Sequence, residues 1–230
     1  MSRVLTVDEM IKKGLEFLEE NSALFSKVEL NLIKAYLVSG EFEKLIYLPD
    51  MVRQILDELG FLKERQDIYS GFLKILNESF LLDDKEVIEI GGGVLPRIGN
   101  RLIDNYGIRK ITIYDSRLSP YIPDTDRMKL IRRKVRIGED DLGGDIIIGF
   151  MPCSGAQVIL EQGLKYGHDF MIALCGCGAD TKFKSEDEWV DDFISKASNG
   201  IRDNNMGILK TKSLGQYGLK YPVIYNERVW

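Results

Sequence analysis

Three groups of residues in this chain have the types and spacing of a chemical site. In the first, Glu89 stands two residues before the run Gly91, Gly92 and Gly93, and a short apolar stretch, Val87 to Ile90, leads into it. An amphipathic segment, Ile98 to Tyr106, follows. Strand, glycine turn and helix in that order open a nucleotide-binding βα unit. In the second, Asp115 ends another strand-like run, Lys110 to Tyr114. An acid there accepts hydrogen bonds from ribose hydroxyls. The third is a set of thiols: Cys153 follows one apolar run, and Cys175 and Cys177 follow another.

The glycine turn admits two cofactor classes. Counted from Gly91, the Gly-x-Gly-x-x-Gly spacing of a dinucleotide fingerprint is met at Gly93 and fails at the last glycine, where Pro96 stands. The thiols admit a nucleophile, a zinc site or plain packing. His168, the sole histidine, precedes the run that ends at Cys175. A strand of that length separates its ends by about 20 Å, so His168 does not join those thiols in a metal site. No metal site is expected. A general base would have to be a carboxylate, a tyrosine or the substrate itself. No catalytic residue is assigned. The cysteines are read first as small apolar residues at a packed sheet edge.

The elements that must position these residues follow from periodicity. From Val7 to about Leu82 the pattern is helical. Met10, Ile11, Leu15 and Leu18 recur on one face. Ser26 with Glu29 forms a capping box for a second helix, with Leu30, Ile33, Ala35 and Leu37 apolar and Gly40 as its stop. A third helix is expected over Met51 to Leu59, and a fourth from Asp67 to Leu82. Residues 1–82 are therefore read as a helical subdomain, serving in packing and homodimerisation or, alternatively, as a lid. Residues 83–230 alternate strands and helices, the signature of an α/β sheet. Strands are expected at Lys129 to Ile137, Asp145 to Met151 and Asp169 to Leu174, with helices at Ala156 to Tyr166 and Glu186 to Ala197. Gly207 to Lys212 and Tyr221 to Glu227 close the sheet. The link from Ser116 to Asp126, with Pro120 and Pro123, is expected to hold no regular helix.

The totals exclude several classes. The chain has 230 residues, 44% hydrophobic and 29% charged, and a net charge of −5. That is a soluble globular composition with a real core and no global attraction to nucleic acid. No apolar run is long enough to span a membrane. The amino-terminal stretch lacks the apolar core of a signal peptide, and three cysteines suit reduced thiols, so a cytoplasmic location is expected. Bases concentrate between Arg97 and Arg136, without the interleaved aromatics of a base-stacking surface, so this run is read as a solvated face.

From residue 85 onward the pattern resembles the class I S-adenosylmethionine-dependent methyltransferases. The match lies in the acid before the glycine turn, the acid after the second strand, and the closing strand pair. The resemblance implies a Rossmann-like, mostly parallel sheet ending in an antiparallel hairpin. It implies S-adenosyl-L-methionine as cofactor, with Gly91, Gly92 and Gly93 against its methionine part and Glu89 on its amino group. Asp115 would take the ribose, Glu139 or Asp140 the adenine amino group, and Phe150-Met151 would lie where methyl group and substrate meet. A small-molecule methyl acceptor is expected ahead of RNA. Leu95-Pro96 after the glycines is similar to nicotianamine-synthase-like enzymes, so aminocarboxypropyl transfer is the alternative reaction. A non-catalytic module on the same fold is the alternative outside enzymes. Pro152-Cys153-Ser154-Gly155 also resembles the fourth motif of RNA cytosine-5 methyltransferases, but that family's first motif is missing here.

Overall fold

Ser26 and Glu29 do start a helix by reciprocal capping. The Glu29 N–H donates to Ser26 Oγ at 3.2 Å, and the Ser26 N–H donates to Glu29 Oε2 at 2.7 Å. The computed structural model describes residues 7–38, 68–140, 142–175, 185–215 and 220–228. The chain divides into two units, Met1–Arg65 with Ser119–Pro123 and Gln66–Leu118 with Asp124–Trp230. In the first, α1 (Val7–Glu20) leads through a 3-10 turn, Ser22–Leu24, into α2 (Lys27–Val38). Leu18, Ile33 and Leu37 are buried there. Ala35 is exposed, against expectation, because a residue two positions after Ile33 lies on the far side of a helix. The expected helix over Met51 to Leu59, and the stop at Gly40, lie outside the described residues. Ser26→Ala should lower stability by about 1 kcal/mol, because it orphans the Glu29 N–H at the first turn. Denaturant unfolding followed by helix ellipticity reads this, and an unchanged midpoint would refute it.

The second unit is built on a seven-stranded sheet. Its elements are α3 (Ile68–Ser79), β1 (Glu86–Ile90), α4 (Arg97–Asn105), β2 (Lys110–Tyr114), β3 (Met128–Ile131), β4 (Ile146–Phe150), α5 (Gly155–Tyr166), β5 (Asp169–Ala173), α6 (Glu186–Asp203), β6 (Ile208–Lys212) and β7 (Val223–Glu227). The strand order is β3-β2-β1-β4-β5-β7-β6. β1 to β5 are parallel, and β7 enters antiparallel to both β5 and β6. This is the α/β sheet that the alternation predicted, with the Rossmann-like order and antiparallel end that the resemblance implied.

Alternation of side chains assigns the two faces. Ile88, Ile90, Ile147, Ile172 and Ile224 pack against α5 and α6, where Ile159, Trp189 and Phe193 are buried. Val87, Glu89 and Ile113 point the other way, and a Cβ placed on Gly99 of α4 would come within 2.5 Å of Ile113 Cδ1. On that face Phe150 meets Phe72 of α3 edge-on, with ring centroids 5.3 Å apart.

Three elements differ in length from expectation, the first being α3, which stops at Ser79 and not at Leu82. β3 stops at Ile131, not Ile137, because the chain turns there: the Arg133 N–H bonds Ile131 O at 2.8 Å. α6 runs on to Asp203, past Ala197, because buried Ile201 continues the apolar stripe four residues later. Ser185 caps that helix by accepting the Glu188 N–H at 3.1 Å. The link between β2 and β3 has neither helix nor strand, as its prolines implied.

Candidate functional site

The topology fixes where a ligand would sit. From β1 the chain winds out to β2 and β3, then returns to place β4 on the other side of β1. Crevices in open α/β sheets form beyond the carboxyl ends of the strands at such a reversal. The glycine turn, Asp115 and the end of β4 all lie at that edge.

Close backbone approach accounts for the glycines. The Gly91 N–H bonds Tyr114 O at 2.8 Å, tying the end of β1 to β2. Gly91 has φ +82, and a Cβ there would stand 2.8 Å from Pro152 Cα, so the turn lies directly against the loop after β4. Gly92 faces Ile113, whose Cγ2 would be 2.4 Å from an added Cβ. Gly93, at φ +78, donates its N–H to Asp115 Oδ2 at 2.9 Å. Pro96 takes the N-cap position of α4, directly before the first helical residue, Arg97.

Asp115 is 7% exposed. Its Oδ1 accepts the Arg117 N–H at 2.8 Å, a two-residue Asx turn. The Arg117 guanidinium also reaches both oxygens, Nε to Oδ1 at 3.2 Å and Nη2 to Oδ2 at 2.9 Å. Sequence reasoning missed Arg117. An acid closing a strand, with a long base two residues on, was the available signal.

Glu89 is the most unusual group. It is 1% exposed, and its Oε2 has no hydrogen-bond partner among the described residues. Burial, and then the charge of Asp115, push its pKa up to about 8, against a backbone hydrogen bond from Gly99 that lowers it. A buried carboxyl oxygen without a partner is costly unless something polar comes to it.

A cavity of about 320 Å³ opens at this edge, lined by Gly91, Asp115, Arg117, Lys134, Val135 and Cys153 among others. Its back wall is the loop after β4, where Met151 and Cys153 both hold φ +51. Left-handed backbone at non-glycine residues is uncommon and gathers at functional sites. Phe150 packs toward Tyr69 and Phe72 instead, and Met151 is exposed.

Glu139 and Asp140 are not brought to this cavity. They line a separate groove with Lys110, Lys129 and Arg133. Arg133 Nη1 holds Asp140 at 2.7 Å, and this contact comes first among the causes that lower the Asp140 pKa to about 2. Lys134 and Val135 occupy the cavity wall that those acids were expected to form. His168 lies at the opposite edge of the sheet, in a polar cavity beside Asp145 and Asp169. Among the described residues no group of three metal-ligating side chains occurs, and no helix is long and apolar enough to cross a membrane.

No family model and no curated protein matches the chain. Among solved structures it is similar to a methyltransferase from Pyrococcus furiosus, at 14% identity and TM-score 0.45, over 71% of this chain and 84% of that one. It is also similar to a mutant of MtNAS in complex with S-adenosylmethionine, at 14% identity and TM-score 0.46, over 97% and 90% of the two chains. A third is an S-adenosyl-L-methionine-dependent methyltransferase from Methanococcus maripaludis, at 15% identity and TM-score 0.42, over 71% and 86%.

Proposed function

We propose that this chain is an S-adenosylmethionine-dependent transferase, and that the reaction is methyl transfer to a small-molecule acceptor. The observation that carries the reading is the buried Glu89 carboxyl, with Oε2 unpartnered beside a glycine turn. An amino group is the complement of such an oxygen, and ribose hydroxyls are the complement of Asp115. Gly91, Gly92 and Gly93 would present backbone to the methionine part, since Pro152 and Ile113 fill the space a Cβ would take at Gly91 and Gly92. The wall at Val135, Pro152 and Val158 supplies apolar surface for a base. Asp115 lines the cavity, whereas Glu89 lies outside its lining on the other face of β1, so one ligand would meet both only by passing around the glycine turn; Glu139 and Asp140 lie in the separate groove.

When bound, S-adenosylmethionine supplies an electrophilic methyl group on a sulfonium. The protein's task is then to orient: Asp115 would hold the ribose and Glu89 the amino group, while Phe150 packs on Tyr69 and Phe72 and takes no part. Alignment of this kind acts through effective molarity and requires few acid–base groups. The resemblance of Leu95-Pro96 after the glycines to nicotianamine-synthase-like enzymes supports a second reading, aminocarboxypropyl transfer. Chromatography separates the two, since methyl transfer leaves S-adenosylhomocysteine and the alternative leaves methylthioadenosine.

Calorimetry with S-adenosylhomocysteine tests the cofactor. Absence of binding at millimolar concentration would refute it. Arg117 gives a finer test. Its guanidinium holds both Asp115 oxygens, so a ribose must displace it. Arg117→Ala should therefore tighten S-adenosylhomocysteine binding by about threefold, under 1 kcal/mol. Weaker binding in that variant would mean that Arg117 clamps the ligand.

A further inference from the structure

The two described cysteines meet at the cavity wall. β4 and β5 run parallel, with Phe150 paired to Ala173, and the Met151 N–H bonds Ala173 O at 2.9 Å. The left-handed backbone at Met151 and Cys153 then folds the chain back toward β5. The result is a Cys153 Sγ that lies 4.0 Å from Cys175 Sγ. Cys175 is 7% exposed, while Cys153 is partly exposed and lines the cavity with Lys134 and Arg117. Sequence alone placed these thiols on neighbouring strand ends and read them as packing. Their separation says more than that, because a disulfide needs its sulfurs about 2 Å apart. Rotation of the two side chains, together with a shift of the sharply bent loop that carries Cys153, supplies the difference.

We propose that Cys153 and Cys175 are an oxidisable dithiol, closed by peroxide into a disulfide that switches the cavity. The accessible Cys153 sulfur attacks a peroxide oxygen, giving a sulfenic acid and releasing one water. Cys175 sulfur then attacks the sulfenic sulfur, forming the S–S bond and releasing a second water. Two thiols are oxidised, and one peroxide is reduced to two waters. Cys153 is the group that meets the oxidant because it alone of the pair reaches the cavity surface. Lys134 lines the same cavity, as does Arg117, whose guanidinium is paired with Asp115.

The consequence for the site runs through Pro152. That residue lies against Gly91 on one side and is bonded to Cys153 on the other. Drawing Cys153 toward β5 pulls the Pro152 wall away from Gly91 and Asp115. The oxidised protein then binds adenosyl ligands less tightly; this part rests on the cofactor reading given above.

The test treats the whole chain with stoichiometric hydrogen peroxide and reads intact mass, linked peptides and S-adenosylhomocysteine affinity. Wild type should lose two hydrogens and show a Cys153–Cys175 peptide. Cys153→Ser and Cys175→Ser should not, and Cys177→Ser should still do so. Oxidation should weaken S-adenosylhomocysteine binding about tenfold, and dithiothreitol should restore it. A Cys175–Cys177 link, or sulfinic acid at Cys153 without any link, would overturn the dithiol. Equal affinity in the linked and reduced forms would overturn the switch while leaving the bond. Failure of both forms to bind overturns the cofactor reading and the switch with it, and the peptide map alone then decides the bond.

Discussion

Asp115→Ala is expected to remove S-adenosylhomocysteine binding by about a hundredfold or more and to cost the fold about 2–4 kcal/mol. Both effects follow from one buried carboxylate that several donors share. It accepts the Gly93 N–H at 2.9 Å and the Arg117 N–H at 2.8 Å, and it joins the glycine turn to the end of β2. Truncation leaves those donors without their acceptor, and hydrogen bonds to charged groups are worth about 1.5–3 kcal/mol each, not fully additively. The ligand loses its ribose acceptor at the same time. Asp115→Asn separates the two roles. It retains one acceptor oxygen for the turn but sets an amide beside the Arg117 guanidinium, so it should recover much of the stability and little of the binding. Calorimetry and thermal unfolding of the three proteins read this. Wild-type affinity in Asp115→Ala would remove Asp115 from the site.

Much of this architecture was legible because each element has a local physical cause. The β1 turn had to be glycine-rich: Gly91 and Gly93 take positive φ, and an added Cβ on Gly91 would strike Pro152. Ser26 and Glu29 stated the start of α2 outright. The residues less visible in the sequence are those chosen by long-range geometry. Nothing local shows that Arg133 will reach Asp140 and turn the chain out of the sheet after Ile131, and this carries Glu139 and Asp140 away from the cavity. Likewise, 22 residues separate Cys153 from Cys175, and only the paired strand ends bring their sulfurs to 4.0 Å. The acid before the glycines was a ligand contact only through the resemblance to the methyltransferases. That it would be fully enclosed, with an oxygen left over, is a property of α4 packing over β1 and β2.

Glu89 should make both stability and ligand affinity depend on pH, in opposite directions. Its pKa is pushed from 4.5 up to about 8, chiefly by burial. In acid, below the unfolded value, the carboxyl is protonated in both states and adds no pH-dependent cost. As pH rises from about 4.5 to about 8 the unfolded chain ionises first, so unfolding releases a proton and stability falls. Above about 8 the loss levels off at roughly 3–5 kcal/mol, an upper bound set by the size of the shift. Glu89→Gln is neutral throughout and should flatten that slope, making the variant the more stable protein near pH 8 in the absence of ligand. Ligand binding runs the other way. An amino group brought to Oε2 favours the carboxylate, so binding below about pH 8 expels a proton and tightens as pH rises. S-adenosylhomocysteine titrations of wild type should then give different heats in two buffers of different ionisation enthalpy. Glu89→Gln should bind more weakly and give the same heat in both. Identical wild-type heats, together with flat wild-type stability between about pH 5 and 8, would show that Glu89 is already ionised and that its oxygen has a partner of another kind.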